Sequence, residues 1–235
     1  MSSERLVRIL GRLNGEEAVP SMLRLCEMGA ELSGTTGAGI MLMVDGVQQG
    51  TLCVSDDTSA VIEELQNTLG EGPCIDAYHG GRPVLEPDLV NPMADRWAAF
   101  TPAAVAAGAR AIFGFPLLIG ATRLGAFNFY RNAKGPLTDD QHADLSVMAD
   151  VAARAVIDLQ AQARGGALAE ELRAGTDYQL VVHQASGMVS VQLGIGVADA
   201  LVRLRAHAFA NDERLTDVAA AVVAKRLRFG EPDGG

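Results

Sequence analysis

Two apolar runs, Ala109 to Ile119 and Arg123 to Tyr130, follow one another with Gly120-Ala121 turning the chain between them. So short a connection joins strands antiparallel, because parallel neighbours need a crossover of a dozen residues or more. In the second run Leu124, Ala126, Asn128 and Tyr130 alternate with Gly125, Phe127 and Phe129. Strand side chains alternate between faces, so this reads as a central strand with one face on helices. Upstream, Ile40 to Val44 and Thr51 to Ser55 flank Asp45-Gly46, a second hairpin signal.

Helical stretches lie between and around these hairpins. Residues 2–13 (SSERLVRILGRL) place Leu6, Ile9, Leu10 and Leu13 on one face, and a second helix is expected from Ala18 to Leu32. The residues Asp56 to Ser59 cap a helix running to Leu69, with Val61, Ile62 and Leu65 inward. The Gly- and Pro-rich stretch LGEGPCIDAYHGGRPVLEPDL is expected to be a loop over a pocket, around Cys74 and Tyr78. A short strand at Pro83 to Leu85 and a helix from Trp97 to Ala107 precede the long hairpin. The succession is that of an α+β fold with an antiparallel sheet flanked by helices.

From Thr138 a long helix begins, with Leu145, Met148, Ala152, Ala155 and Leu159 at alternating spacings of three and four. That seam predicts a self-pairing, coiled-coil linker, with packing on the chain's own domain as the alternative, and Gly165-Gly166 marks a kink or hinge. Beyond it, three short helices follow: one ending near Leu193-Gly194, one after Gly196 carrying Leu201 and Leu204, and one carrying Leu215, Val218 and Val222. Lys225, Arg226 and Arg228 are expected in the last turn of the third. The organisation read from the chain is an N-terminal helix at 1–15, a sheet domain at 16–158, a helical linker at 159–176, a three-helix module at 177–229 and a disordered tail at 230–235.

The net charge of −10 argues against a general polyanion binder, but it is unevenly held. Residues 1–175 carry 13 basic against 22 acidic residues, whereas residues 176–229 carry six against five. A nucleic-acid partner is therefore admissible only for the C-terminal module. Cys26, Cys53 and Cys74 lack CxxC spacing and read as buried reduced thiols, and His79, His142, His183 and His207 are too scattered for a metal site. No signal-peptide pattern or membrane-length apolar run is present, so a cytoplasmic protein without cofactor is expected. The sequence has no Ser/His/Asp order, no paired carboxylates in a glycine-framed loop and no kinase phosphate loop; Cys74 is the only candidate nucleophile and reads as a buried or pocket-lining thiol, so no enzyme activity is expected.

The GEGPC loop, the RAIFGFPLLIGATRLGAFNFYR hairpin and the PLTDDQHADLSVMADVAARAV helix together resemble a GAF domain of the kind found in actinobacterial regulators. That resemblance implies a pocket between the sheet and its covering loops, with room for a small-molecule ligand; Cys74, Tyr78, Phe113, Phe115, Phe127 and Phe129 are its candidate lining. The cyclic-nucleotide signature of that family is not intact in RNAKGPLTDDQ.

HQASGMVSVQLG, VADALVRLRAHAF and RLTDVAAAVV, in that order, resemble an ANTAR domain. The resemblance implies a dimeric three-helix module that binds structured RNA, paired short-looped hairpins in a leader transcript, and thereby prevents a terminator from forming. Candidate RNA contacts are Gln184, Ala185, Gly187, Met188, Ser190, Arg205, Lys225, Arg226 and Arg228. Small residues admit close approach, amides and hydroxyls read base edges, and guanidinium groups hold phosphate or guanine. The alternative is a DNA-binding helix-turn-helix regulator with the same sensor; its connection NDERL is long, and its third helix offers mainly Ala and Val.

Overall fold

The long hairpin forms the middle of a five-stranded antiparallel sheet. Its strands are β1 (Gly37–Val44), β2 (Val47–Val54), β3 (Val84–Glu86), β4 (Ala111–Ile119) and β5 (Thr122–Arg131), in the order β2-β1-β5-β4-β3. The computed structural model describes residues 3–13, 21–44, 47–92, 96–163, 171–211 and 213–230. The Asp45-Gly46 turn, Asp212, the Gly165-Gly166 hinge and the tail beyond Gly230 lie outside the described residues.

Register decides which residues face which layer. Phe113 pairs with Phe129 and Phe115 with Phe127, so all four rings project from one face of the sheet. That face is covered by α1 (Ser3–Leu13), α2 (Met22–Ser33) and α6 (Asp139–Ala163), and its core includes Leu25, Met28, Leu145, Met148 and the four phenylalanines. Burial of such side chains contributes roughly 1.5–3 kcal/mol each. The opposite face is covered by α3 (Asp57–Leu69), α4 (Pro73–Gly80) and α5 (Phe100–Ala106), over Met41, Met43, Ile112, Ala126 and Tyr130.

Local chemistry explains the helix starts. The Asp56 side chain accepts from Ser59 N of α3, and Thr138 and Gln141 cap each other reciprocally at the start of α6. The stretch expected to be a loop around Cys74 contains a helix, α4. Proline at its first position lacks only an N–H that has no helical partner there, so Pro73 starts the helix rather than breaking it.

Two further expectations change. The heptad seam of α6 is not left open for a second copy: Leu145, Met148, Ala152 and Ala155 are buried in the chain's own core and Leu159 packs beside them. An i, i+3, i+4 stripe fits any apolar partner, and here the sheet and α2 supply it. The N-terminal helix is likewise part of this layer, with Ile9 and Leu13 buried and Arg5 and Arg8 both paired to Asp144 of α6. Cys26 and Cys53, expected to be reduced, are joined as a disulfide between α2 and β2, which leaves Cys74 as the free thiol.

The C-terminal residues form a bundle of α7 (Glu171–Leu193), α8 (Val197–Ala210) and α9 (Leu215–Val223). Ala185, Val189, Leu204, Leu215, Val218 and Val222 make a core of its own. Helix α7 crosses the boundary expected at residue 177 without a break. Helix α9 stops before the basic residues, because Lys225 adopts a left-handed φ of 60° and Arg226 N closes back on Ala221 O. Among the described residues no single helix is long and apolar enough to cross a membrane.

Candidate functional site

Helix α3 lays an unusual set of side chains on the sheet. Glu63, Gln66 and Asn67 are all buried, together with the Ser59 hydroxyl. The carboxyl of Glu63 is 1% exposed and accepts a hydrogen bond from Asn128 Nδ2 of β5 at 3.0 Å through Oε1. A Cβ at Gly39 of β1 would stand 2.8 Å from Glu63 Oε1, so only glycine leaves room for the carboxyl. One turn on, Gln66 Oε1 accepts from Cys74 N at 2.8 Å. Close packing of α4 fixes that position: a Cβ on Gly114 of β4 would meet Pro73 O at 2.6 Å.

Three polar atoms in this cluster have no protein partner: Glu63 Oε2, Asn128 Oδ1 and Gln66 Nε2. Leaving a buried donor or acceptor unsatisfied costs about 1–3 kcal/mol, so such atoms mark a place for something polar. The electrostatics agree. Burial pushes the Glu63 carboxyl up to about 7 against the opposing bond from Asn128. Burial, and then the nearby Glu63 charge, push the Cys74 thiol well above its ordinary value. Cys74 is therefore a neutral thiol rather than an activated nucleophile.

Beside the cluster, at the start of α3, lies a hydrogen-bonded group. Asp56 accepts hydrogen bonds from Ser55, Ser59 and Tyr130; burial pushes its pKa up, and these bonds outweigh that and hold it below the usual carboxylate value. Tyr130 is pushed up to about 12, by burial and then by its bond to Asp56. On the outer side Trp97 Nε1 donates to Asp76, Arg96 stacks 4.6 Å from the Trp97 ring centre and pairs with buried Glu86, and Glu71 caps the backbone N–H groups of Ala99 and Phe100.

A family model described as GAF domain matches residues 22–157, more than half of the chain. The chain belongs to the GAF domain family. The fold is similar to that of the GAF domain of a phosphoenolpyruvate-protein phosphotransferase from Coxiella burnetii, at 14% identity and a TM-score of 0.51, over 68% of this chain and 95% of that one. It is similar also to the GAF domain of the phosphotransferase from Acinetobacter, at 11% identity and a TM-score of 0.52, over 68% and 96% of the two chains. Such identities speak for the fold alone. Among curated proteins no sequence matches significantly.

Within this GAF domain, Cys74 and Tyr78 of α4 lie on the α3 side of the sheet, where both pack with Met41, Met43 and Ala126 and Cys74 N meets Gln66. Phe113, Phe115, Phe127 and Phe129 do not; they face α2 and α6, with Phe115 and Phe129 edge to face at 5.9 Å. The correction follows from strand alternation: Gly114, Ala126 and Asn128 are the residues that point toward α3 and α4. Glu63, Gln66 and Asn128 were not singled out from sequence. The signal was available in a polar i, i+3 pair beside Ile62 and in an asparagine within an otherwise apolar strand.

The bundle sorts the nucleic-acid candidates. Gln184 is exposed and Gly187 and Met188 are half-buried on α7, whereas Ala185 is wholly inside the bundle core. The Ser190 hydroxyl is taken by Ile195 O, closing the turn between α7 and α8. Arg205 faces the sensor: its Nε donates to Asn67 O at the end of α3, at 3.1 Å. Lys225, Arg226 and Arg228 are exposed in the turn after α9. Among the described residues no group of His, Cys, Asp and Glu is placed to hold a metal ion.

Proposed function

We propose that this protein is an RNA-binding transcription antiterminator, in which the GAF domain regulates a helical effector that binds tandem short-looped hairpins of a leader transcript as a homodimer. The observation that carries the reading is the C-terminal bundle. Residues 181–229 enclose a core separate from that of the sheet, the arrangement implied by the resemblance of these three helices to an ANTAR domain. A helix-turn-helix reading is less well supported, since Leu215, Val218, Ala219 and Val222 of α9 are buried and its exposed side bears Asp217 and small apolar residues.

The sensor takes a small molecule at the Glu63, Gln66 and Asn128 cluster, one that offers donors to Glu63 Oε2 and Asn128 Oδ1 and an acceptor to Gln66 Nε2. The reading is of a non-catalytic site, because Cys74 is buried and held as a thiol. Asn67, whose carbonyl holds Arg205, follows Gln66 directly, so a shift of α3 on ligand binding reaches the effector through one peptide unit.

Filter binding of the full chain to a tandem-hairpin leader RNA and to a scrambled single hairpin tests this. Tighter binding to the tandem RNA, falling steeply with salt, is expected. Equal affinity for the two would sink the reading.

A further inference from the structure

The turn after α9 is tied to both other helices of the bundle. Phe229 N donates to Gln192 Oε1 at the end of α7, at 2.8 Å, and the Phe229 ring meets His207 of α8 edge-on at 5.2 Å. Gln184, Met188 and Gln192 follow one another four residues apart, which puts them in one row of α7 that runs toward Phe229. Arg203 and His207 are also four apart on α8, and helical geometry places Arg205, two residues from each, on the opposite side, where it meets the sensor.

Charge follows the same division. Arg203, Lys225, Arg226 and Arg228 are exposed, and none of them makes an ion pair with a described residue. In a chain of net charge −10, cations left unpaired at one end of a small bundle create a local field suited to an anion. At the turn after α9 stand two flat rings, Phe229 and, against it, His207 of α8, and the amide of Gln184 lies about two helical turns along the α7 row from Gln192.

We propose that the RNA-reading face of the effector is this side, where α7, α8 and the turn after α9 meet around Gln192, His207 and Phe229, and that it takes the single-stranded loop of an RNA hairpin. The inference rests on the antitermination reading and adds the face and its chemistry. Arginine and lysine hold the phosphates, the rings stack on unpaired bases, and Gln184 reads a base edge. Stacking needs bases that a duplex keeps hidden, which selects a loop over a stem or duplex DNA. Arg205 is not part of this face.

The test uses the full chain and a synthetic RNA of two tandem short-looped hairpins, its loop sequence selected from a randomised pool. R226Q/R228Q is expected to weaken binding about tenfold or more and to reduce the salt slope by about two, one for each lost phosphate contact. Phe229→Ala is expected to weaken looped RNA roughly tenfold and leave an RNA with closed loops unchanged. R205A is expected to stay within about twofold of the parent. Ultraviolet crosslinking of the unmodified chain, which does not depend on any variant folding, is expected to join loop bases to peptides containing residues 184–192, 207 or 226–229. Crosslinks confined to Val202, Arg205, Ala206 and Phe209, or a loss confined to R205A, overturn the assignment of the face. Equal binding of duplex DNA through Arg226 and Arg228 overturns the assignment of a loop. Failure of any pool member to be enriched overturns the antitermination reading itself, and this proposal with it.

Discussion

Replacing Glu63 by glutamine separates the charge of the buried carboxyl from its shape. In the unfolded chain that carboxyl titrates near its ordinary value of 4.5, whereas burial pushes it to about 7 in the folded protein. Between those values the folded state holds the proton that the unfolded state has lost, so stability falls as pH rises. The difference, 7 − 4.5 = 2.5, at 1.36 kcal/mol per unit gives about 3 kcal/mol. This cost is absent below 4.5 and complete above 7. Asp56 acts in the other direction: its depressed pKa adds stability that is lost only as pH falls below the ordinary carboxylate value of 3.8, outside this window. Glutamine keeps the acceptor for Asn128 Nδ2 and carries no charge. Urea unfolding followed through Trp97, the single tryptophan, between pH 5 and 8 makes the comparison. Glu63→Gln is expected to match the parent within about 1 kcal/mol at pH 5 and to exceed it by about 3 kcal/mol at pH 8. Parent stability that is level or rising across this range, or a variant that follows the parent in parallel, refutes the reasoning.

Phe127→Ala is expected to lower unfolding free energy by about 3–5 kcal/mol while keeping the parent's slope between pH 5 and 8, since its ring lies across the sheet from Glu63; loss of the slope in urea titrations would return Phe127 to the cluster. Lys225→Gly is expected to raise thermal stability by about 1 kcal/mol, because Lys225 occupies a left-handed backbone position that glycine adopts without strain. Reductant is expected to lower stability by about 3 kcal/mol through opening the Cys26–Cys53 link, which spans 27 residues. Without reductant, thiol titration in denaturant should find Cys74 alone, and three titrating thiols would contradict the link.

Much of the sheet was legible because its signals are local. Gly120-Ala121 and the alternation through β5 settle an antiparallel pair, and Asp56 and Thr138 announce their helices through side chains that cap them. What was not legible depends on which surface an element meets. The seam Leu145, Met148, Ala152 reads the same whether it faces a twin helix or a sheet, and it faces the sheet. The four phenylalanines look suited to a pocket, but alternation alone does not say that their face is the one closed by α2 and α6. Glu63 and Gln66 lie on successive turns of α3, but Asn128 is 65 residues from Glu63, and only folding brings that strand to the helix. Arg205 was singled out as a planar cation, and its engagement with Asn67 is a contact between two units that no local pattern records.

The central claim is that a GAF domain here governs an RNA-binding effector. Crosslinking the full chain to RNA in its own cells and sequencing the bound fragments tests it most directly. The account predicts fragments concentrated in leader transcripts, each covering paired hairpins that overlap a terminator stem. Recovery of RNA no greater than from an uncrosslinked control, or fragments spread without regard to such hairpins, contradicts it.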